Sequence, residues 1–92
     1  MKVFVSLPLE ILGDNLTQLW DHLKPRIQDK YPSAKILCNY TGEGTIEESD
    51  AVVFLYEFKD TKSCKDTIKR CNELDKPYSF FLQYYSPRFY YR

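Results

Sequence analysis

The residues richest in chemistry lie in one short turn of this 92-residue chain, Asp60-Thr61-Lys62-Ser63-Cys64-Lys65. Two hydroxyls, two lysines and a thiol stand there at the start of a helical pattern. Free amides and the positive end of a helix dipole make such a place favourable to phosphate. Thr61, Lys62, Ser63, Cys64 and Lys65 are therefore the candidate phosphate ligands. The plainer reading is ordinary capping, with Ser63 as N-cap and Asp66 in the first turn, and it leaves room for weak anion binding. The same position would favour a Cys64 thiolate. A nucleophile also needs a base, and the one histidine, His22, belongs to another helix, so Cys64 reads as a packed apolar residue. His22 and three scattered cysteines make no metal site, and no residue is assigned to catalysis.

Two further stretches carry polar chemistry. Gly42-Glu43-Gly44-Thr45 is short for a phosphate loop and puts an acid where phosphate would approach, so it reads as a turn. Glu47, Glu48 and Asp50 could pair for acid–base work. A solvated acidic loop is the simpler account, and Asp50, at the head of an apolar run, is the member to watch. The last fifteen residues are different in kind. They hold eight of the fifteen aromatics, together with Arg88 and Arg92, and no acid. Tyrosine and arginine without lysine is the composition of recognition surfaces. Tyr84, Tyr85, Arg88, Phe89, Tyr90 and Tyr91 are accordingly the candidate partner-binding residues, the alternative being that Phe89 and Tyr90 fold back on the second helix.

The elements that must position these groups centre on Ala51 to Phe58, an almost unbroken apolar run of the kind found in a strand buried on both faces. After the polar turn, Cys64, Ile68 and Cys71 form one helical stripe bordered by Thr67 and Leu74, with Lys65, Lys69, Arg70 and Glu73 opposite. Asp75-Lys76-Pro77 stops that helix, and Tyr78 to Tyr85 reads as another strand. The unit is a βαβ crossover, which is right-handed as a rule. Upstream, Val3 to Leu7 reads as a first strand ended by Pro8, Leu9 to Gly13 as a connection, and Asp14 as the N-cap of a helix. Leu16, Leu19, Trp20, Leu23 and Ile27 give that helix its stripe, from about Asn15 to Lys30, with a bend expected near Arg26 because Pro25 interrupts the ladder. Ala34 to Tyr40 is a strand with Ile36 and Cys38 on one face and Leu37 on the other, and Thr45 to Ser49 a single helical turn.

This order predicts one α/β domain over residues 1–92: a small Rossmann-like, flavodoxin-like sandwich with two main helices and a four-stranded, mostly parallel sheet ordered 2-1-3-4. Ligands of such sheets bind beyond the carboxyl ends of the strands, at the switch between strands 1 and 3. Thirteen basic and thirteen acidic residues argue against a general nucleic-acid or membrane-surface binder. No apolar run approaches a membrane span, the opening residues lack a signal-peptide pattern, and an odd number of cysteines suits reduced thiols in the cytoplasm.

MKVFVSLPL resembles the opening of proteins related to nucleoside 2-deoxyribosyltransferases, and SDAVVFLYEFKDTKSCKDTIKRCNELDKPY resembles their closing βαβ unit. The second stretch is still more similar to nucleotide-binding SLOG proteins, relatives of the lysine-decarboxylase-like phosphoribohydrolases. The resemblance implies a Rossmann-like fold and a nucleotide-derived ligand. It does not carry catalysis: Thr67, beside Asp66, stands where the transferases have their glutamate, and Glu43 separates Gly42 from Gly44 where the phosphoribohydrolases have a double glycine. The long insertion between strands 2 and 3 is also missing. Three functions follow in order. The first is a small non-catalytic protein, an inhibitor or adaptor of the sort viruses and mobile elements encode, that binds a protein partner or a second copy of itself. The second is a module for a nucleotide-derived small molecule. The third is a reduced N-glycosyl-bond enzyme. None of the three calls for a cofactor.

Overall fold

The computed structural model describes residues 1–81. Strand β1, Lys2–Ser6, lies inside a four-stranded sheet between β2, Lys35–Cys38, and β3, Ala51–Leu55, with β4, Tyr78–Phe81, beyond β3. All three pairings are parallel and the order is 2-1-3-4, the arrangement of a small Rossmann-like domain. A parallel sheet needs cover on both faces, and two helices supply it. Helix α2, Leu16–Lys30, follows a short α1, Leu9–Leu12, and a 3₁₀ turn at Gly13–Asn15; helix α3 spans Lys62–Glu73.

The period-two alternation of the strands sorts their side chains between two cores. Val3, Val5, Leu7, Ile36, Cys38, Val53, Leu55 and Phe81 pack with Trp20, Leu23 and Ile27 of α2. Phe4, Leu37, Val52 and Phe54 pack with Cys64 and Cys71 of α3, with Ile68 and Ile46 at the border. Val53 sits in the middle of the sheet between β1 and β4, Leu55 pairs with β4 at the end of β3, and both are buried.

Several element ends differ from those expected. Leu9 to Gly13 is not a bare connection, because Leu9–Leu12 coils once and Gly13, at φ 49°, closes the turn by donating to the Leu9 carbonyl. The α2 N-cap position falls on Asn15, whose side chain makes no capping bond. Pro25 lies on the exposed side, and α2 runs through it as one element. Strand β3 ends at Leu55 rather than Phe58. Its neighbour β1 stops at Ser6, paired with Phe54, so Tyr56–Phe58 lose a ladder on that side and wind into a 3₁₀ turn. Strand β2 ends at Cys38 because Asn39 turns its amide to β1, accepting from the Leu7 amide at 2.9 Å and donating to the Leu7 carbonyl at 2.9 Å.

The stop after α3 has a visible mechanism. Asp75 adopts φ 55°, the Lys76 amide donates to the Cys71 carbonyl at 2.8 Å, and the Asp75 amide to the Asn72 carbonyl at 3.3 Å. This is a Schellman closure with aspartate in the place usually held by glycine. Gly44 is needed as glycine: at φ +75° a Cβ there would lie 2.6 Å from Leu37 Cδ1.

Candidate functional site

The turn before α3 stands at the carboxyl end of β3, next to the end of β1, which is the switch point of the sheet. Thr61 is the N-cap there. Its hydroxyl donates to the Phe58 carbonyl at 2.8 Å and accepts from the Cys64 amide at 3.2 Å. The capping role expected of Ser63 therefore belongs to Thr61, because the helix begins one residue before Ser63, at Lys62. Lys62 reaches Asp66, one turn along, at 2.7 Å, and this hydrogen bond raises its pKa. Lys65 is exposed. Cys64 is buried, and burial first, then the charge of Asp60 and the neighbouring Cys71 thiol, push its pKa up. That is the opposite of what a thiolate nucleophile needs. His22 lies on α2, on the far side of the sheet, with its Nε2 3.3 Å from an Arg26 guanidinium nitrogen.

Ser6, Pro8, Phe54, Leu55, Phe58, Thr61, Ser63 and Cys64 line an open dimple of about 170 Å³ at this point. It is a surface depression open to solvent and encloses no cavity, whereas small-molecule sites enclose roughly 300–1,000 Å³. Ser6 is the further polar group at this point, and nothing in its sequence context marks it. It shares the α3 face with Phe4 by alternation and is only 7 % exposed, and no hydrogen bond to its hydroxyl or to that of Ser63 occurs among the described residues.

Three acids of the loop before β3, Glu47, Glu48 and Asp50, each have a partner. The Glu48 carboxylate accepts from the Thr45 amide at 2.7 Å and Thr45 Oγ accepts from the Glu48 amide at 3.3 Å, a reciprocal capping box. Glu47 meets Arg70 at 3.4 Å, and Asp50 accepts from the Lys2 amide at 2.7 Å. These carboxylates hold the loop to β1 and α3. Among the described residues no group of His, Cys, Asp and Glu is arranged to hold a metal ion, and no helix is long and apolar enough to cross a membrane.

The aromatic candidates Tyr84, Tyr85, Arg88, Phe89, Tyr90 and Tyr91 lie outside the described residues. What is described is an aromatic edge just before them. Tyr78 and Phe80 alternate onto the α3 face of β4, while Phe81 turns to the α2 core with the Lys30 ammonium 5.7 Å from its ring centre. Helix α3 covers Val52 and Phe54 but stops short of the outer strand. Tyr78 and Phe80 remain 39 % and 37 % exposed, and Tyr56 37 %. Their rings pack as one group: Phe54 to Tyr78 and to Phe80 at 5.7 Å, Tyr78 to Phe80 at 6.2 Å, Tyr56 to Phe80 at 6.3 Å. The signal for this patch was present in YSFF, where period two puts Tyr78 and Phe80 on one side. Tyr56 cannot be found that way, because it falls inside the apolar run Ala51 to Phe58, which reads as strand interior. Comparison of the chain with protein-family models, curated proteins and solved structures finds no match.

Proposed function

We propose that this protein is a small non-catalytic Rossmann-like domain that acts by binding a protein partner through the aromatic edge of β4. The observation that carries the reading is the ring group Tyr56–Phe80–Tyr78, three exposed aromatics linked through Phe80, with Tyr78 and Phe80 also against a buried Phe54. Rings already packed on each other lose little side-chain freedom on contact, and contiguous exposed aromatics mark interaction surfaces. The partner is then a protein offering an apolar segment, with the chain serving as inhibitor or adaptor. Affinity capture from an extract of the native host tests this. The intact chain should retain a stoichiometric partner, and Phe80→Lys, folded by circular dichroism, should lose it. Capture unchanged by Phe80→Lys would remove the aromatic edge from the function.

A second reading rests on Ser6. Its buried hydroxyl and that of Ser63 stand beside the first amides of α3, an arrangement suited to one phosphoryl group of a nucleotide-derived ligand, as the SLOG resemblance implies. The shallow dimple and the acid at Asp60 rank it second. A mononucleotide at millimolar concentration should then raise the melting temperature, and Ser6→Ala should erase the rise. No shift across a nucleotide panel ends this reading.

A further inference from the structure

Strand β4 is an edge whose outer side can be read from its inner one. The Val52 amide donates to the Pro77 carbonyl at 3.0 Å, and the register pairs Val52 with Tyr78 and Phe54 with Phe80. In a parallel ladder this directs the peptide groups of Ser79 and Phe81 to β3 and those of Tyr78 and Phe80 outward. Among the described residues nothing pairs with those outward groups. The opposite edge is protected in the two ways edges usually are: β2 opens on an exposed Lys35, and its last residue, Cys38, is bridged by Glu43. Strand β4 carries no charge at any of its four positions.

We infer that this edge takes a second copy of the chain, with β4 pairing antiparallel to its own copy about a two-fold axis at Ser79. The proposal rests on the protein-binding reading above, in taking β4 as the contact edge, and names an occupant for its outward backbone groups rather than for the rings. The register is self-complementary: Tyr78 faces Phe80 of the second copy, Phe80 faces its Tyr78, and the outward peptide groups satisfy one another as two hydrogen-bonded pairs flanking Ser79. Cross-strand aromatic pairs are among the favourable ones, and pairing an uncharged strand with itself brings no like charges face to face. The chain as a whole has a net charge of zero, so no long-range repulsion opposes the approach. The contact uses backbone at the edge and leaves the rings on the α3 face, so two copies join their Tyr56–Tyr78–Phe80 groups into one continuous aromatic surface for a further partner. Four residues a side form a contact smaller than the roughly 800 Å² per partner of a stable complex, which makes this a concentration-dependent dimer rather than a permanent one.

Sedimentation equilibrium of the full chain in reductant, from low micromolar to millimolar concentration, reads the first consequence. The mass should climb from 11.0 kDa toward twice that value, and Phe80→Lys should hold it at one chain. Ser79→Cys reads the register. Opposed residues of a non-hydrogen-bonded antiparallel pair lie within disulfide reach, so mild oxidation should cross-link this variant, whereas the native thiols Cys38, Cys64 and Cys71 are buried. Adding Phe80→Lys should suppress the cross-link. A single-chain mass at every concentration overturns the inference. So does a dimer in which Ser79→Cys does not cross-link, or a cross-link indifferent to Phe80→Lys. A monomer that still captures a host protein through Phe80 leaves the protein-binding reading standing and removes this one. A dimer that captures nothing does the reverse.

Discussion

Val53 shows how little latitude single positions have in this domain. It is 1 % exposed, pairs with Val5 on one side and Ser79 on the other, and has α2 above it. An aspartate there would be a buried charge with no partner, costing several kcal/mol against a total stability of roughly 5–15 kcal/mol. Val53→Asp should therefore abolish the cooperative thermal melt, and a melt near the parent's midpoint would contradict the β3 assignment. Asn39 is the polar counterpart. Its two bonds to the Leu7 backbone continue the β1–β2 pairing where the ladder ends, a role that asparagine's amide can fill and aspartate's carboxylate cannot, because the Leu7 carbonyl needs a donor.

At the scale of elements, α3 depends on its ends. Its stripe is thin, two buried cysteines and a half-buried Ile68, so the termini carry more of its definition than in a leucine-rich helix. Thr61→Ala removes both the acceptor for the Cys64 amide and the donor to the Phe58 carbonyl. About 1 kcal/mol should be lost, several degrees of melting temperature in a domain of this size. Ser63→Ala should cost much less, since its hydroxyl bonds to no described residue. Differential scanning calorimetry of the two variants decides between the caps: a larger loss for Ser63→Ala would return the role to Ser63. Helix α2 is the opposite case, held by Trp20, Leu23 and Ile27 with no side-chain cap, and it runs through Pro25 because the missing amide falls on the exposed side.

The whole molecule has a pH signature in its thiols. Burial is the first cause raising the pKa of Cys38, Cys64 and Cys71 alike, and all three lie within the two cores. The folded state thus keeps protons that the unfolded chain releases near pH 8.5. Their contribution is fully present below that pH and is lost as pH rises through the higher folded values. The melting temperature should stay level from pH 6 to about 8 and fall steadily above about 8.5. A Cys38→Ala/Cys64→Ala/Cys71→Ala chain should melt lower throughout but without the slope that begins at about pH 8.5. Lys59 and Lys62 shift in the same direction, but they are exposed and titrate above this window. An equal slope in both proteins would place the titration elsewhere.

Local order alone determined the fold of this chain. A doubly apolar run at Ala51, helical stripes at Leu16–Ile27 and Cys64–Cys71, and breakers at Pro8 and Pro77 allow few arrangements beyond a parallel sheet ordered 2-1-3-4, because crossovers are short and right-handed. Element ends were legible only where a residue's own chemistry sets them, as at Asp75-Lys76-Pro77. Leu55 could not be read as the end of β3, since what stops it is the end of β1, nearly fifty residues away in sequence. The candidate site was legible by composition and not by place. Spacing picked out the Thr61–Lys65 turn, but the company of Ser6 and the diversion of Lys62 to Asp66 are contacts made in space. The exposure of Tyr56, Tyr78 and Phe80 is likewise tertiary. An aromatic on a strand is core or surface according to whether a helix from elsewhere in the chain reaches over it, and α3 ends its cover at Phe54.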